Sequence, residues 1–169
     1  VVIAANTGYS IATVMVDETE HVTETVIAAD GVYTFENVSA NHTINAAFSI
    51  NSYNLTIHHV YADNTTAAPD HTETVVYNTA YSVESPAITG YTADQLTVEG
   101  TMPAQDVELT VVYNVNSYNL TIHYVFADDT EASADYTAQV AYGTPYSVES
   151  PVIAGYTADQ TTVAGTMTT

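Results

Sequence analysis

The sequence contains no lysine, no arginine and no cysteine, and its 20 Asp and Glu residues give it a formal net charge of −20. Every carboxylate must therefore be hydrated, accept backbone N–H groups or bind a cation. Phosphate recognition needs Lys or Arg, which excludes nucleic acid as a partner. The same argument excludes attraction to an anionic membrane surface. Without disulfides, the fold must depend on packing alone.

Long apolar runs are also absent. No stretch approaches the ~18 residues that a membrane span requires, so no membrane insertion is expected in this segment. The chain begins without Met or a signal peptide, and we expect it to be a piece of a longer protein. Its aromatic area comes mainly from 14 Tyr, with 3 Phe and no Trp.

What the sequence does contain is a repeat. Residues 51–104 align with residues 116–169 at a constant offset of 65 without a gap, and about two-thirds of the positions are identical. The retained blocks are NSYNLTIH, YSVESP, GYTADQ and GTM. This agreement indicates a recent duplication that built an array of small modules.

Each copy shows the period-two alternation of a half-buried β-strand. Residues 107–113 alternate in the same way and predict a closing strand for the first copy. A helix of a turn or two is expected only near Tyr81–Ser85. The residues predicted to share the inner face of the opening strands are Tyr53, Leu55, Ile57, His59 and Tyr61 in the first copy and Tyr118, Leu120, Ile122, Tyr124 and Phe126 in the second.

These patterns divide the chain into three modules, at residues 1–50, 51–115 and 116–169. The first module is also β-patterned but does not match the other two. We expect it to lack its opening strand, and the last module to lack its closing strand. A module of ~65 residues is marginally stable alone, so neighbouring modules should stack. Residues 114–117, which link the copies, contain no Gly or Pro and favour a stiff rod.

Residues 53–114, from YNLTIHHVYADN through GYTADQ to ELTVVYN, resemble a MucBP (mucin-binding protein) repeat, and the second copy shares these blocks. Residues 1–50, through GYSIATVMVDE and DGVYTFENVSANHTINAAFS, resemble a divergent internalin-type B-repeat. The resemblance implies a tandem array of mainly β, β-grasp-like modules with mostly antiparallel sheets. It also implies that the first and last strands of a module are neighbours, and that the protein is extracellular, either secreted or on a bacterial cell surface.

No arrangement of residues indicates catalysis, which would need a nucleophile with a base, a metal centre or paired carboxylates in a pocket. We therefore expect no enzyme. His58 and His123 occupy equivalent positions on the polar face of the opening strands. They fit either a metal-binding or pH-sensitive role or a solvated strand position, and the second is favoured because no further ligand follows at metal spacing. His59 aligns with Tyr124 and is predicted to fill a core position.

Two acidic turns are the candidate calcium sites. Asp63, Asp128 and Asp129 offer the oxygen ligands that Ca²⁺ prefers. The same residue types close hairpins as Asx turns, and no dense ligand spacing is present. No other cofactor is expected.

Tyr91 and Tyr156 are the candidate ligand contacts, since each follows a glycine in a predicted loop and loops carry function. The tyrosines of the predicted inner face, such as Tyr53, Tyr61, Tyr113 and Tyr118, are better explained as core.

Three functions remain open at this level. The leading hypothesis is a stalk or spacer segment of an adhesive surface protein. The second is a subunit of an extracellular filament whose chains share strands, because an unpaired sheet edge invites strand addition. The third is a module that binds mucin or other host or environmental glycans. The absence of any Lys or Arg argues against acidic sugars as ligands.

Overall fold

The computed structural model describes residues 1–21 and 32–169. These residues form thirteen β-strands and no helix, which confirms the mainly β fold class and leaves no described helix that could cross a membrane. The strands are β1 Tyr9–Val16, β2 Thr19–His21, β3 Ile44–Ile50, β4 Ser52–Tyr61, β5 Thr66–Val76, β6 Ala80–Glu84, β7 Tyr91–Ala93, β8 Thr97–Thr101, β9 Val107–Val115, β10 Ser117–Val125, β11 Glu131–Ala141, β12 Pro145–Glu149 and β13 Thr162–Thr166.

The strands pair in small sheets. Their orders are β2–β1–β3, β5–β4–β9–β7, β6–β8, β10–β11 and β12–β13. Five of these pairings have a defined antiparallel register: β1–β2, β1–β3, β7–β9, β10–β11 and β12–β13. The opening strand β4 and the closing strand β9 are neighbours, as the family resemblance implies. A β-grasp arrangement stays a prediction.

The chain divides into two compact units. One comprises Val1–His58, Asp70–Val83 and Thr97–Leu109, and the other comprises His59–Pro69, Glu84–Leu96 and Thr110–Thr169. The three predicted modules, at residues 1–50, 51–115 and 116–169, stay a prediction.

The sheet β2–β1–β3 of the first unit begins with a tight hairpin. Asp17 and Glu18 both have positive φ, 51° and 66°, which suits a two-residue turn between twisted strands. The Asp17 carboxylate accepts hydrogen bonds from His42 Nδ1 at 2.7 Å and from the Thr43 N–H at 2.9 Å. These bonds, that from His42 first, lower the pKa of Asp17. The core of this sheet contains Ile3, Val14, Val16, Ile11, Tyr33, Phe35 and Ile44.

The first repeat buries the middle of the inner face that its alternation predicts, whereas the second repeat buries only Ile122 of its corresponding set. In β4, Leu55 and Ile57 are fully buried and His59 is 2 % exposed. The His59 ring donates from Nδ1 to the Pro69 carbonyl at 2.9 Å, so this core histidine is held by the next strand. Tyr113 is buried on β9, whereas Tyr53, Tyr61 and Tyr118 are half-buried.

The segment Tyr81–Ser85 is not helical, and the expected short helix was wrong. All of it except Ser85 lies in β6, which pairs with β8. A Cβ added at Gly100 on β8 would overlap the Tyr81 hydroxyl, and Ser82 Oγ donates to Glu99 at 3.1 Å. These cross-strand contacts outweigh any local preference of the segment for a helix. Residues 22–31, part of the segment that resembles a B-repeat, lie outside the described residues.

Candidate functional site

An open cleft of about 820 Å³ lies on the second repeat. Its lining follows β10 from Leu120 to Phe126 and includes Pro151, Tyr156 and Asp159. Among the described strands β10 pairs only with β11, and none lies on its other edge. In the first repeat the equivalent strand β4 lies between β5 and β9. The cleft therefore corresponds to the place of β9.

Strand β9 shows what such a place can hold. Its Val111 and Tyr113 are buried, and the Tyr113 hydroxyl donates to the Pro86 carbonyl at 2.7 Å. Burial raises the pKa of Tyr113. The Val112 N–H donates to the Asp94 carboxylate at 2.9 Å, and the Asp94 N–H donates back to the Val112 carbonyl. The strand is thus fixed by a buried ring and by paired hydrogen bonds.

The second repeat keeps the groups that fix this strand. Pro151 and Asp159, the counterparts of Pro86 and Asp94, both line the cleft. No described strand takes the place of β9 in the second repeat. Accordingly Leu120 is only half-buried, whereas Leu55 in the first repeat is fully buried. The cleft has the shape and chemistry to take an extended strand with alternating apolar residues.

A second feature recurs three times in the part of the chain that the structure describes, and we call it the Gly-Tyr corner. Each corner is a four-residue turn. Its third residue is glycine, with φ of 80–82°, and its fourth is tyrosine, whose N–H donates to the carbonyl of the first residue at 3.0–3.1 Å. Glycine is favoured because other residues rarely adopt this positive φ. The corners are residues 6–9, 88–91 and 153–156.

Two corners receive a tyrosine from the repeat that follows them in sequence. A Cβ added at Gly8 would overlap the Tyr77 ring, and a Cβ at Gly90 would overlap the Tyr142 ring. Tyr9 meets Tyr77 edge-on with centroids 6.1 Å apart, and Tyr91 meets Tyr142 at the same 6.1 Å. We call these contacts the first joint, within the first compact unit, and the second joint, within the other unit. Only glycine admits a ring so close to the backbone.

Backbone hydrogen bonds repeat in both joints. The Asn51 N–H donates to the Gly8 carbonyl and the Tyr77 N–H to the Asn51 carbonyl, each at 2.8 Å. Asn116 bonds with Gly90 and Tyr142 in the same way, again at 2.8 Å. A single residue separates the strands at each joint, since β3 ends at Ile50 and β4 begins at Ser52, and Asn116 alone separates β9 from β10.

The two candidate ligand tyrosines lie at corners but differ in exposure. Tyr91 is half-buried at the start of β7, between the rings of Tyr61 at 4.7 Å and Tyr142 at 6.1 Å. The joint covers part of Tyr91, and the sequence gives no sign of this joint. Tyr156 is 65 % exposed. A ligand role for either tyrosine stays a prediction.

The candidate calcium residues form Asx turns. Asp63 Oδ1 accepts the Thr65 N–H at 3.0 Å and the Thr65 hydroxyl at 2.6 Å, and Asp128 does the same with Thr130. The hydroxyl bond first, then the backbone bond, lowers the pKa of each aspartate. Asp129 adopts a left-handed φ of 63°. No three acidic or histidine side chains converge as metal ligands in the described ranges, and calcium binding stays a prediction.

The sequence did not reveal the partners of His58 and His123. Each ring donates from Nδ1 to an aspartate on the adjacent strand, His58 to Asp70 and His123 to Asp135, both at 2.9 Å. The only available signal was that both members of each pair are retained at the repeat offset of 65. These partly exposed pairs bridge the two strands of each hairpin.

Comparisons with known proteins agree with the repeat. The family model of the MucBP domain matches residues 54–114 and 119–169. Among solved structures, a MucBP domain of a Lactobacillus acidophilus protein is 26 % identical, with a TM-score of 0.33, and covers 39 % of this chain and 92 % of its own. The crystal structure of Mub-RV is 19 % identical, with a TM-score of 0.34, and covers 64 % of this chain and 76 % of its own.

No similar sequence was found among the curated proteins. The matched segments coincide with the two copies of the repeat and together span more than half of the chain. The chain therefore belongs to the MucBP domain family.

Proposed function

We propose that this chain is a structural segment of an adhesive, extracellular bacterial protein, in which its modules act as a stalk or spacer. MucBP domains are an adhesion-type family found in surface and secreted bacterial proteins and are not an enzyme family. The observation that carries the proposal is the joint, which is built twice from the same residue types with matching distances. A repeated joint suits a protein whose task is to hold modules in a fixed succession.

The joints have the physical properties of a stiff connection. A flexible linker needs several residues free to rotate, usually Gly or Ser. Here one asparagine connects the strands, and its N–H and C=O are both engaged. The glycine below each tyrosine ring permits tight packing, so bending a joint must break these contacts together.

Nuclear relaxation of backbone ¹⁵N in the full chain tests this proposal. We expect amides of residues 51–115 and 116–169 to report one slow tumbling time. A variant with a short Gly-Ser segment between Val115 and Asn116 should show faster, independent tumbling of the last module. If the unaltered chain already tumbles as independent modules, the spacer function is wrong.

A second candidate, a strand-sharing filament, is favoured by the open cleft beside β10. A strand with alternating apolar residues from a neighbouring chain would complete the sheet and cover the exposed inner face. Strand β9 of a second copy is already paired with β7, so a filament needs another donor strand.

Sedimentation at rising protein concentration tests the filament. We expect the chain to associate, and a chain prolonged by a copy of residues 105–115 to remain monomeric because its own strand fills the cleft. The matched control carries Val111→Asp in the appended strand, which should restore association. An unaltered chain that stays monomeric at all concentrations rules the filament out.

The exposed ring of Tyr156 supports a third candidate, a glycan-binding module. An aromatic ring with a polar tip suits stacking against a neutral sugar. The family supports mucin or other glycans as partners, while the net charge of −20 disfavours acidic sugars. Calorimetric titration with neutral and sialylated oligosaccharides tests this. We expect binding to be limited to neutral glycans and lost in Tyr156→Ala. A flat titration with both classes excludes a glycan-binding function.

A further inference from the structure

The third Gly-Tyr corner is built like the other two. The Tyr156 N–H donates to the Ile153 carbonyl at 3.0 Å, and Gly155 has a φ of 82°. The Tyr156 ring lies 4.6 Å from Phe126 at an interplanar angle of 47°. At the second corner Tyr91 lies 4.7 Å from Tyr61 at 48°. The third corner and its supporting Phe126 ring therefore have the same geometry as the second corner, which receives Tyr142.

Two contacts differ at the third corner: Tyr91 pairs with Val115 of the closing strand β9 and meets a tyrosine of the following repeat, whereas Tyr156 has neither contact among the described residues. No atom lies within 4 Å of a Cβ built on Gly155, whereas the same position on Gly8 or Gly90 would overlap a tyrosine ring. Tyr156 is 65 % exposed, in contrast to the half-buried Tyr91. Positive φ by itself favours glycine at such a turn, so the open space above Gly155 and the exposed Tyr156 ring are the features that mark an unfilled contact.

We propose that the corner formed by Gly155 and Tyr156 is a docking site for the tyrosine of a further MucBP-type module. The occupant is a residue equivalent to Tyr142, carried on a module whose first asparagine donates its N–H to the Gly155 carbonyl. In both joints of this chain, a tyrosine lies on the equivalent surface of the corner glycine. The inference rests on the proposed spacer function and deepens it by naming the partner of one surface.

The test uses the full chain prolonged after Thr169 by a second copy of its own residues 105–169. The copy supplies a closing strand, a single asparagine and a module with its own counterpart of Tyr142. Tyr156→Phe in the copy keeps its peptide distinguishable by mass. The readout is nitration of Tyr156 by tetranitromethane, measured by mass spectrometry after digestion with pepsin, since trypsin finds no Lys or Arg.

We expect nitration of Tyr156 in the prolonged chain to fall by about ten-fold, which corresponds to docking worth about 1.4 kcal/mol. Two controls separate docking from the appended strand. A chain prolonged only by residues 105–115 should protect Tyr156 much less. A chain whose appended module carries Tyr142→Ala should be nitrated at the rate of that strand-only control. Equal protection in all three chains would overturn the proposal.

The melting temperatures of glycine variants provide a second test that does not depend on nitration, which the appended module could change indirectly. In the 169-residue chain, Gly90→Ala should lower the melting temperature more than Gly155→Ala. Gly143, with a φ of 75° and no neighbour within 4 Å, measures the cost of positive φ alone. In the prolonged chain Gly155→Ala should become as damaging as Gly90→Ala. If Gly155→Ala stays equal to Gly143→Ala in both chains, no ring docks there.

These outcomes also separate this inference from its alternatives. Protection of Tyr156 by neutral oligosaccharides, with none from the appended module, would overturn the proposal and assign the corner to glycans. Independent tumbling of the existing modules would contradict the spacer function. The nitration experiment tests only the docking of a further module at Tyr156.

Discussion

At the scale of single residues, one hydroxyl group has a measurable effect on a charged turn. Thr65 donates its hydroxyl to Asp63, and this bond is the largest cause of the lowered Asp63 pKa. Thr65→Val removes the hydroxyl but keeps the backbone bond and the β-branched shape. We expect the pKa of Asp63 to rise towards its ordinary value in the variant. A carboxyl ¹³C titration by NMR measures it, with Asp128 in the same molecule as the control.

The direction of the pH effect follows from the same shift. Because the Asp63 pKa is lowered by folding, its carboxylate contributes stability fully above the ordinary value of 3.8 and loses it as the pH falls through the lowered value. In Thr65→Val this contribution is smaller and disappears at higher pH. An identical titration curve for Asp63 in both proteins would show that the hydroxyl bond does not persist in solution.

At the scale of strands, alternation was enough to predict most of the inner face. Leu55, Ile57 and His59 are buried as their period-two pattern requires. The corners and joints could not be predicted, because Gly8 meets Tyr77 and Gly90 meets Tyr142 only after distant segments fold. A glycine before a tyrosine indicates a turn, but the local sequence does not identify the aromatic ring that will pack against the glycine.

The two repeats offer a matched test of what the closing strand contributes. Leu55 on β4 is fully buried, whereas its counterpart Leu120 on β10 lines the open cleft. We expect Leu55→Ala to destabilise the first repeat by about 2–5 kcal/mol, the usual range for a buried leucine. Leu120→Ala should cost clearly less, because the removed atoms were already partly in water.

Native-state hydrogen exchange distinguishes the two variants, since it reports stability in each hairpin separately. The β4–β5 amides should lose protection in Leu55→Ala, and the β10–β11 amides should change little in Leu120→Ala. Equal losses in both variants would mean that the cleft is covered in solution by something other than the described strands.

At the scale of the whole molecule, charge sets the conditions for folding. The net charge is −20 without a Lys or Arg to offset it, so carboxylates repel one another across the surface. Salt shortens the range of this repulsion, from a Debye length of about 10 Å at 0.1 M to about 3 Å at 1 M. We expect the melting temperature at pH 7 to rise with sodium chloride, by about 2–4 °C for each kcal/mol gained.

Divalent cations at matched ionic strength then separate general screening from a specific site. Asp63 and Asp128 each accept two hydrogen bonds from a threonine at Oδ1, and among the described residues no further acidic or histidine side chains converge on them as ligands. We therefore expect calcium and magnesium chlorides to raise the melting temperature by similar amounts, as circular dichroism would measure. A clearly larger effect of calcium would instead indicate a calcium site, and Asp129→Asn would then show whether that site lies in the second repeat's turn.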